Sequence, residues 1–517
     1  MKRMKKIMAL MLAAIMMMAM SVTAFAAEGA TGTRTLTVNA NGGQDLNGQT
    51  INLYKLFDVT ESGEGQNKNY AYTVNETYKK TLATVLNIPE NSKDEEFAAA
   101  VTKLGSDNAT EVQNFANTFT TKALEGKLEA TTTSGKIKEE NKTSYTFNNL
   151  AAGYYLVYVT GGKEIQSSLV TVDATTNTVN LKTEAPSITK TADKETAEIG
   201  QIVTYTVTGT IPDTTGYSKY VYKIHDELTK GLDFVNDENG TALEAGAKTV
   251  NVKVAFKAAG VTDASTAPTT ATLETANNRK MSLDLSEWVR ANQTNKGKEF
   301  TVIYYAKVNK AAEVTNNNKA SLEYGNNPSD TTTTTPSEAK TNTYPLDINK
   351  IKKGTEEKLA GAKFRLYSSE ADAKANDESK AIKVSPVVAG VAGNYVVDPA
   401  STTTEFESVK DITGAGYNLR VNGLAEGTYY LVETQAPEGF NKLTDPIKVT
   451  ITKDGDTNWT VKKNDAAEDD KIIDVENSTG SLLPSTGGRG AIVFAVIAAL
   501  LVFGVAVSFI RDKRKEA

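Results

Sequence analysis

Runs in which apolar and polar residues alternate recur through most of this chain, and they restrict its fold more than any other feature. Examples rich in Thr, Val, Ile and Tyr are residues 35–38, 201–207, 301–305 and 447–451. A period of two puts every second side chain on one face, as in a half-buried β-strand. Turn residues separate the runs, so the sequence predicts an all-β protein of tandem immunoglobulin-like β-sandwich domains.

One stretch departs from this pattern. Between residues 92 and 128, apolar side chains recur at near-helical spacing: Phe97, Val101, Leu104, Val112, Phe115 and Phe119. We therefore expect a helical insertion in the first domain. A break at residues 182–186, and a threonine run at residues 331–335 that predicts an exposed loop or linker, divide the body. The predicted domains are residues 27–185, 186–344 and 345–478.

The composition excludes several classes of site. The 517 residues include no cysteine and one histidine, His225. Disulfides, thiolate zinc sites, cysteine nucleophiles and multi-histidine metal sites are therefore excluded, and we expect no metal or other cofactor. The formal net charge is −6, and the part between the two basic ends is more acidic still. This acidic body argues against nucleic acid as a partner.

Both ends of the chain are targeting segments. Residues 1–26 combine four cations, an apolar run and a small-x-small site at Ala24 and Ala26, which predicts a secretory signal peptide. The other end, residues 479–517, has an apolar span at residues 491–510 followed by a basic tail. Such a span is long enough for a transmembrane helix, with the basic end in the cytoplasm.

A pentapeptide precedes this apolar span: Leu483, Pro484, Ser485, Thr486 and Gly487. The order of pentapeptide, apolar span and basic tail resembles the cell-wall sorting signal of Gram-positive surface proteins. The resemblance implies that a sortase cysteine attacks the Thr486–Gly487 peptide bond and passes the threonyl acyl group to an amine. Residues 27–486 would then lie outside the cell.

Strand parity places a polar side chain at the end of several apolar faces. In the last domain these side chains are Lys350, Glu433 and Asn477, and in the middle domain Lys190, Asp226 and Asn318. Burial would turn each lysine into a free amine and each carboxyl group into a protonated acid. An asparagine held against both could be attacked and lose ammonia, because oriented groups reach effective molarities of ~10⁵ M or more.

Other interpretations compete with these isopeptide clusters. Each residue taken singly also fits ordinary strand-edge chemistry, with the lysine amine in water and the asparagine in a turn. In the middle domain Asn326 and Asn327 compete with Asn318, which we prefer because it begins an apolar alternation. His225 beside Asp226 could belong to a wall hydrolase, but no nucleophile motif accompanies them.

Residues 346–477 resemble a Cna protein B-type domain, the last domain of Gram-positive pilins. The resemblance rests on Lys350 ahead of residues 358–364 and on residues 429–440, which match the E-box of that family with Phe440 for the usual tyrosine. It implies three roles: Lys350 as nucleophile, Asn477 as acceptor and Glu433 as proton-shuttling catalyst.

The other two domains also resemble parts of these pilins. Residues 186–344 resemble the A-type middle domain, which implies a bond between Lys190 and Asn318 with Asp226 as the acid. The first domain looks B-like, because residues 153–158 echo residues 427–433. Tyr158 then stands in the place of Glu433, and Lys55 lacks an acid, so we predict no crosslink there.

A lysine at the end of the first domain receives the threonyl group in pilin backbones, commonly in a Tyr-Pro-Lys motif. The corresponding residue here is Lys182, with Asn180 and Leu181 in place of Tyr-Pro. Parity puts Lys182 on the polar face, where an external enzyme could reach it.

The resemblance implies a structural backbone subunit of a pilus, not a turnover enzyme, with subunits joined by Thr486–Lys182 amides. The implied partners are pilus-specific and housekeeping sortases, identical subunits, minor tip and base pilins, peptidoglycan and a host surface ligand. The competing hypothesis is a wall-anchored monomeric adhesin, which needs the sorting signal but not Lys182.

Overall fold

The computed structural model describes most of the chain: residues 33–41, 46–62, 69–105, 110–160, 165–173, 176–182, 185–215, 217, 219–326, 328–329, 331–480, 498–499 and 501–502. The predicted signal peptide at residues 1–26 and the pentapeptide at residues 483–487 lie outside the described residues, as does most of the apolar span at residues 491–510. Within the described ranges, no helix is long and apolar enough to cross a membrane.

The chain separates into two compact units. The first contains Met1–Glu195 and Gln201–Thr341, and the second contains Thr196–Gly200 and Asn342–Ala517. The described strands form four sheets from residues 34–342 and two sheets from residues 344–477. The predicted all-β architecture of tandem sandwiches is therefore confirmed.

The first two sheets come from eight strands: β1 (Arg34–Asn39), β2 (Thr50–Ser62), β3 (Asn69–Val74), β4 (Thr132–Lys136), β5 (Ser144–Leu150), β6 (Gly153–Thr160), β7 (Ser168–Val172) and β8 (Thr176–Asn180). One sheet has the order β5-β1-β8, with β8 parallel to β1. The other has the order β3-β2-β6-β7, with β4 paired to β2. Leu36 and Val38 of one sheet pack with Leu53 and Val157 of the other, and this packing forms the core of the sandwich.

Three helices lie between β3 and β4, at Lys79–Leu86, Asp94–Thr102 and Thr110–Glu125. The last two account for the helical spacing in the sequence, which confirms the predicted insertion. They cover the other face of the β2–β6 sheet, where Phe97 and Phe119 pack against Tyr54. Sequence reasoning missed the first helix because its eight residues offer too few turns for a periodic pattern.

The next two sheets come from twelve strands: β9 (Thr189–Ala192), β10 (Ile202–Thr210), β11 (Val221–Leu228), β12 (Leu232–Val235), β13 (Thr249–Asn251), β14 (Lys253–Phe256), β15 (Thr270–Glu274), β16 (Asn277–Asp284), β17 (Glu299–Val308), β18 (Thr315–Gly325), β19 (Thr332–Thr333) and β20 (Ser337–Asn342). One sheet has the order β12-β17-β10-β9, with β14 on β17. The other has the order β13-β15-β16-β11-β18-β19, with β20 on β18. A short helix, Ser286–Ala291, and a 3-10 turn, Gln293–Asn295, precede β17.

Part of the threonine run is a strand and not a loop. Thr332 and Thr333 form β19 and pair with Tyr324 and Glu323 of β18. The expectation of a loop or linker is wrong for these two residues. Threonine is favoured in β-strands, and the edge of a neighbouring strand provides backbone groups with which it can pair.

The last two sheets come from eleven strands: β21 (Tyr344–Lys352), β22 (Lys363–Tyr367), β23 (Val384–Pro386), β24 (Asn394–Val397), β25 (Phe406–Glu407), β26 (Leu419–Leu424), β27 (Gly427–Gln435), β28 (Ile447–Asp454), β29 (Asn458–Lys463), β30 (Ala466–Glu468) and β31 (Ile472–Asn477). One sheet has the order β23-β24-β26-β21-β31, and the other β25-β22-β27-β28-β29-β30. The helix Glu370–Ala375 and the 3-10 turn Glu378–Lys380 follow β22. The first strand, β21, runs parallel to the last, β31.

Candidate functional site: two buried lysine–acid–asparagine clusters

The parallel pairing of β21 with β31 brings Lys350 close to Asn477. Lys350 lies opposite Val475, and Asn477 is the next inward-facing residue along β31. Glu433 comes from β27 in the opposing sheet. The three residues are 0%, 1% and 2% exposed respectively, so water is excluded from the cluster they form.

The polar atoms of this cluster are in mutual contact. The Lys350 amine donates to Asn477 Oδ1, and to the Val475 carbonyl oxygen at 2.9 Å. Asn477 Nδ2 donates to Glu433 Oε2 at 2.9 Å. Glu433 Oε1 lies 3.9 Å from the Lys350 amine and has no hydrogen-bond partner among the described residues. The residues predicted to be nucleophile, acceptor and acid are therefore within reach of one another.

Burial changes the chemistry of the lysine. It lowers the pKa of Lys350 to about 8, and the carboxylates of Glu433 and Glu476 oppose that shift only in part. About a tenth of such a group is a neutral amine at pH 7, against well under a thousandth for an exposed lysine. A neutral amine next to a carboxamide carbon is the nucleophile that amide exchange needs.

Three residues that sequence reasoning missed hold this cluster in place. The Asn418 side chain is fully buried, accepts from the Lys350 backbone N–H at 2.7 Å and donates to the Lys350 carbonyl at 3.2 Å. The Asn441 carbonyl accepts from Asn477 Nδ2 at 2.6 Å, and the Leu443 N–H donates to Glu433 Oε2 at 2.7 Å. Asn441 and Leu443 act through backbone atoms, which no residue type identifies in a sequence.

The middle-domain cluster has a different geometry. Lys190 lies on β9 in one sheet, whereas Asp226 on β11 and Asn318 on β18 are on adjacent strands of the other. The exposed fractions are 5% for Lys190, 3% for Asp226 and 0% for Asn318. A Lys190–Asn318 bond would therefore join the two sheets across the core.

A tyrosine lies among the three predicted residues of the middle domain. Lys190 Nζ is 2.7 Å from Asp226 Oδ2, and the Tyr304 hydroxyl contacts both groups. Asn318 Nδ2 donates to the Tyr304 hydroxyl at 3.3 Å. Tyr304 thus connects the amide nitrogen to the acid. Residues 301–305 predict a strand, but an inward-facing tyrosine in a strand is usually part of the core, so no separate role was predicted for Tyr304.

Electrostatics in the middle domain favour the neutral forms. Burial lowers the pKa of Lys190, against the opposing effect of Asp226, and burial raises the pKa of Asp226, against the opposing effects of Lys190 and Tyr304. The Lys190 amine also lies 4.8 Å from the ring centroid of Tyr205. Asp226 Oδ1 and Asn318 Oδ1 have no hydrogen-bond partner among the described residues.

The competing candidates in this domain lie elsewhere. Asn326 is exposed, and Asn327 is outside the described residues. His225 and Asp226 point to opposite faces of their sheet, because His225 pairs with Glu323 at 2.8 Å on the outer face while Asp226 is buried. The two residues that suggested a hydrolase therefore do not form a common site.

The first and last domains share a tyrosine anchor that fixes their alignment. Tyr155 on β6 donates its hydroxyl to the Ala151 carbonyl, and Tyr429 on β27 donates to the Ala425 carbonyl, both at 3.0 Å. Each tyrosine stands two residues after a glycine that begins its strand. Tyr155 is thus the counterpart of Tyr429, four residues before Glu433.

This anchor corrects one residue of the sequence alignment. Four residues beyond the first-domain anchor lies Val159, buried in the core between the two sheets. Tyr158 faces the helices on the other side, with its hydroxyl 2.8 Å from that of Tyr217. The counterpart of Glu433 is therefore Val159 and not Tyr158. Both segments contain the letters Tyr-Leu-Val, and matching those letters displaces the sequence alignment by one residue from the structural correspondence.

The first domain has no lysine in the position of Lys350. Lys55 lies on β2 and pairs with Asp58, outside the first strand. On β1, the counterpart of β21, Leu36 and Val38 face the core and are followed inward by Ala40. Ala40 and Val159 therefore occupy the positions that Lys350 and Glu433 have in the last domain.

Lys182 lies just beyond the end of β8 and is exposed. The neighbouring Leu181 is buried and donates its N–H to the Asn39 carbonyl at 2.9 Å, which continues the parallel ladder. The Lys182 amine donates to Gln113 Oε1 on the helix Thr110–Glu125 at 3.2 Å. The amine is thus held at the surface, as an external enzyme would require.

Comparisons with known proteins point to pilins. A family model described as the SpaA prealbumin-like fold domain matches residues 345–465. The fimbrial subunit type 1 of Actinomyces viscosus is 31% identical over 169 residues, which is 31% of this chain and 29% of that protein. The alignment therefore spans under a third of the length of that relative.

The solved structures found in the comparison include a backbone pilin and a major pilin. The T6 backbone pilin of serotype M6 Streptococcus pyogenes is 18% identical, with coverage of 88% of this chain and 100% of that chain and a TM-score of 0.41. The major pilin SpaA of Corynebacterium diphtheriae is 18% identical, with coverage of 86% and 100% and a TM-score of 0.42. The family match at residues 345–465 confirms the pilin resemblance of the last domain.

Proposed function

We propose that this chain is the backbone subunit of a sortase-polymerised, wall-anchored pilus on a Gram-positive bacterium. The observation that carries the proposal is the buried contact among Lys350, Glu433 and Asn477 in a domain of the prealbumin-like family. A structural subunit under tension gains from covalent bonds that cannot be reduced. A cysteine-free chain has no disulfide with which to meet that need.

The Lys350–Asn477 bond forms without an external reagent. The neutral amine of Lys350 attacks Cγ of Asn477, and Glu433 is the acid–base group beside both nitrogens, with Oε1 3.9 Å from that amine and Oε2 accepting from Nδ2. Glu433 then carries a proton from the attacking nitrogen to Nδ2, the Cγ–Nδ2 bond breaks, and ammonia leaves. The Asn441 carbonyl and Glu433 Oε2, which both accept from Nδ2, hold the leaving nitrogen beside the shuttle.

In the middle domain the same exchange joins Lys190 to Asn318. Asp226 is the acid, and Tyr304 relays the proton to the amide nitrogen that leaves. Each site reacts once, so the protein is a substrate of its own chemistry and has no turnover. Neither reaction requires a metal or another cofactor.

Assembly joins the C-terminal end of the mature chain to the end of the first domain of another copy. A sortase cysteine takes the acyl group of Thr486, releases Gly487 with the remaining tail, and passes the acyl group to the Lys182 amine of the next copy. Gln113 orients that amine. A housekeeping sortase attaches the last subunit to peptidoglycan, and minor tip and base pilins complete the fibre. The proposal keeps the three domains that the sequence predicts: residues 27–185, 186–344 and 345–478.

Replacing Lys182 with arginine should abolish polymerisation, because the guanidinium keeps the charge but is not a nucleophile at neutral pH. The full-length protein is expressed with its pilus sortase, and wall extracts are separated in denaturing gels. The wild type should give a ladder and Lys182→Arg only monomer. The matched control, Lys138→Arg at another exposed lysine, should give the wild-type ladder.

A ladder that persists in the Lys182→Arg strain would contradict the assignment of the acceptor lysine. Anchored monomer alone in the wild type, with every candidate pilus sortase present, would favour the adhesin hypothesis.

A further inference from the structure

The C-terminal domain carries an exposed apolar loop between β23 and β24. Val387, Val388 and Val391 are 52%, 62% and 55% exposed. Among the described residues, the other exposed large apolar side chains are Leu501 and Val502. We call residues 387–391 the valine loop. Residues 386–393 contain no charged or polar side chain, so the patch has no polar interruption. An exposed apolar cluster of this kind marks an interaction surface more often than chance.

Strand register places the valine loop at the end of the domain where the chain leaves. Asn394, which follows the loop, pairs with Arg420, and Arg420 pairs with Asp347. From Asp347, β21 continues to Lys352, which lies beside Asn477, the last residue of β31. Because β24 runs antiparallel to β21, the loop that precedes Asn394 extends toward this same end.

The valine loop is also close, across the sheet, to the strand from which the chain leaves the domain. Three strand spacings separate β24 from β31 in the order β24-β26-β21-β31, which is about 14 Å at ~4.8 Å per spacing. Beyond Gly480, residues 481–486 can span about 20 Å when fully extended. The Thr486 carbonyl therefore lies within about 20 Å of Gly480 when it is joined to its acceptor. The valine loop lies on the surface at this same end of the domain.

We propose that the valine loop is a non-covalent contact to the next copy of this chain in the polymer, on the face that carries Lys182. The inference rests on the proposed function. The short tether forces the next copy against this end of the domain. Burying three valines there removes apolar surface from water at each joint, which holds the neighbouring subunits in a fixed orientation.

The test compares the wild-type monomer and the purified wild-type polymer by hydroxyl-radical footprinting with mass spectrometry. Oxidation of residues 384–394 should be at least threefold slower in the polymer. Residues 257–260, an exposed segment of the middle domain that includes Ala258 and Ala259, serve as the control and should react equally in both forms.

A variant provides an independent readout. Val387→Ser/Val388→Ser/Val391→Ser should still form ladders, since Lys182 and Thr486 are unchanged. Its fibres should bend more in electron micrographs, with a persistence length at least halved. Ala258→Ser/Ala259→Ser should leave fibre stiffness unchanged.

The outcomes distinguish failure of the proposed contact from failure of the proposed function. Equal oxidation of the valine loop in monomer and polymer, or unchanged fibre stiffness in the serine variant, would overturn the contact and leave polymerisation standing. A wild-type protein that forms no ladder would overturn both.

Discussion

Glu433→Gln should lower the melting temperature of the C-terminal domain by on the order of 15 °C. Glutamine has nearly the same shape but cannot carry the shuttled proton, so Lys350 and Asn477 stay unjoined. Their bond closes a loop across a sequence separation of 127. By analogy with a disulfide, such a loop contributes up to about 5 kcal/mol of chain entropy, which corresponds to that shift for a domain of this size. Calorimetry of the purified protein measures it.

A matched variant distinguishes the effect of the covalent bond on the melting temperature from the effect of leaving a charge buried. In Lys350→Met/Glu433→Leu no bond can form, but no charge is left buried either. Apolar replacements of buried ion pairs are often neutral or stabilising when the pair is non-covalent. If the bond exists, this double variant should also melt well below the wild type. A melting temperature equal to the wild-type value would contradict the covalent account.

Pulling a single molecule between the Lys182 side chain and the Thr486 end should give no unfolding step longer than about 110 Å in the wild type, the extended length of residues 319–349 at ~3.5 Å per residue. Residues 27–181 precede Lys182 and lie outside the path of tension. The two bonds then bypass residues 191–317 and 351–476, so force passes only through the stretches outside them, of which residues 319–349 are the longest. The first domain, where Ala40 and Val159 stand at the positions of Lys350 and Glu433, is predicted to have no crosslink, in agreement with this path.

Loss of one bond should release a defined length. Glu433→Ala should add an extension of about 440 Å at high force, from the sequence separation of 127 between Lys350 and Asn477 at ~3.5 Å per residue. Asp226→Ala should add a second extension of similar size. A step of about 440 Å in the wild type would rule out at least one of the two bonds.

Much of the fold could be predicted because its signals are local. The alternation along β10, β17 and β18 appears directly as alternating burial of side chains. The helical insertion was visible because its phenylalanines recur over several turns. The helix Lys79–Leu86 was not, since it is short and its stability comes from packing against helices farther along the chain.

The candidate sites could be predicted only in part. A lysine, acid or asparagine that continues an apolar face stands out in a sequence, and the structure brings both sets together. Tyr304 resembled any core tyrosine, and Asn441 contributes only its backbone carbonyl. The alignment of Tyr158 with Glu433 failed because letters alone do not show which tyrosine bonds back to the carbonyl four residues earlier.

The central claim is that each of the last two domains forms an amide bond between its own lysine and asparagine. Intact mass spectrometry of the purified protein, unfolded before injection, tests it most directly. Each bond removes one ammonia, about 17 Da, because the attack of the oriented amine expels the amide nitrogen. The wild type should be about 34 Da lighter than its sequence mass, and Glu433→Gln and Asp226→Asn should each recover one loss. A well-folded wild-type protein at its full sequence mass would contradict the account.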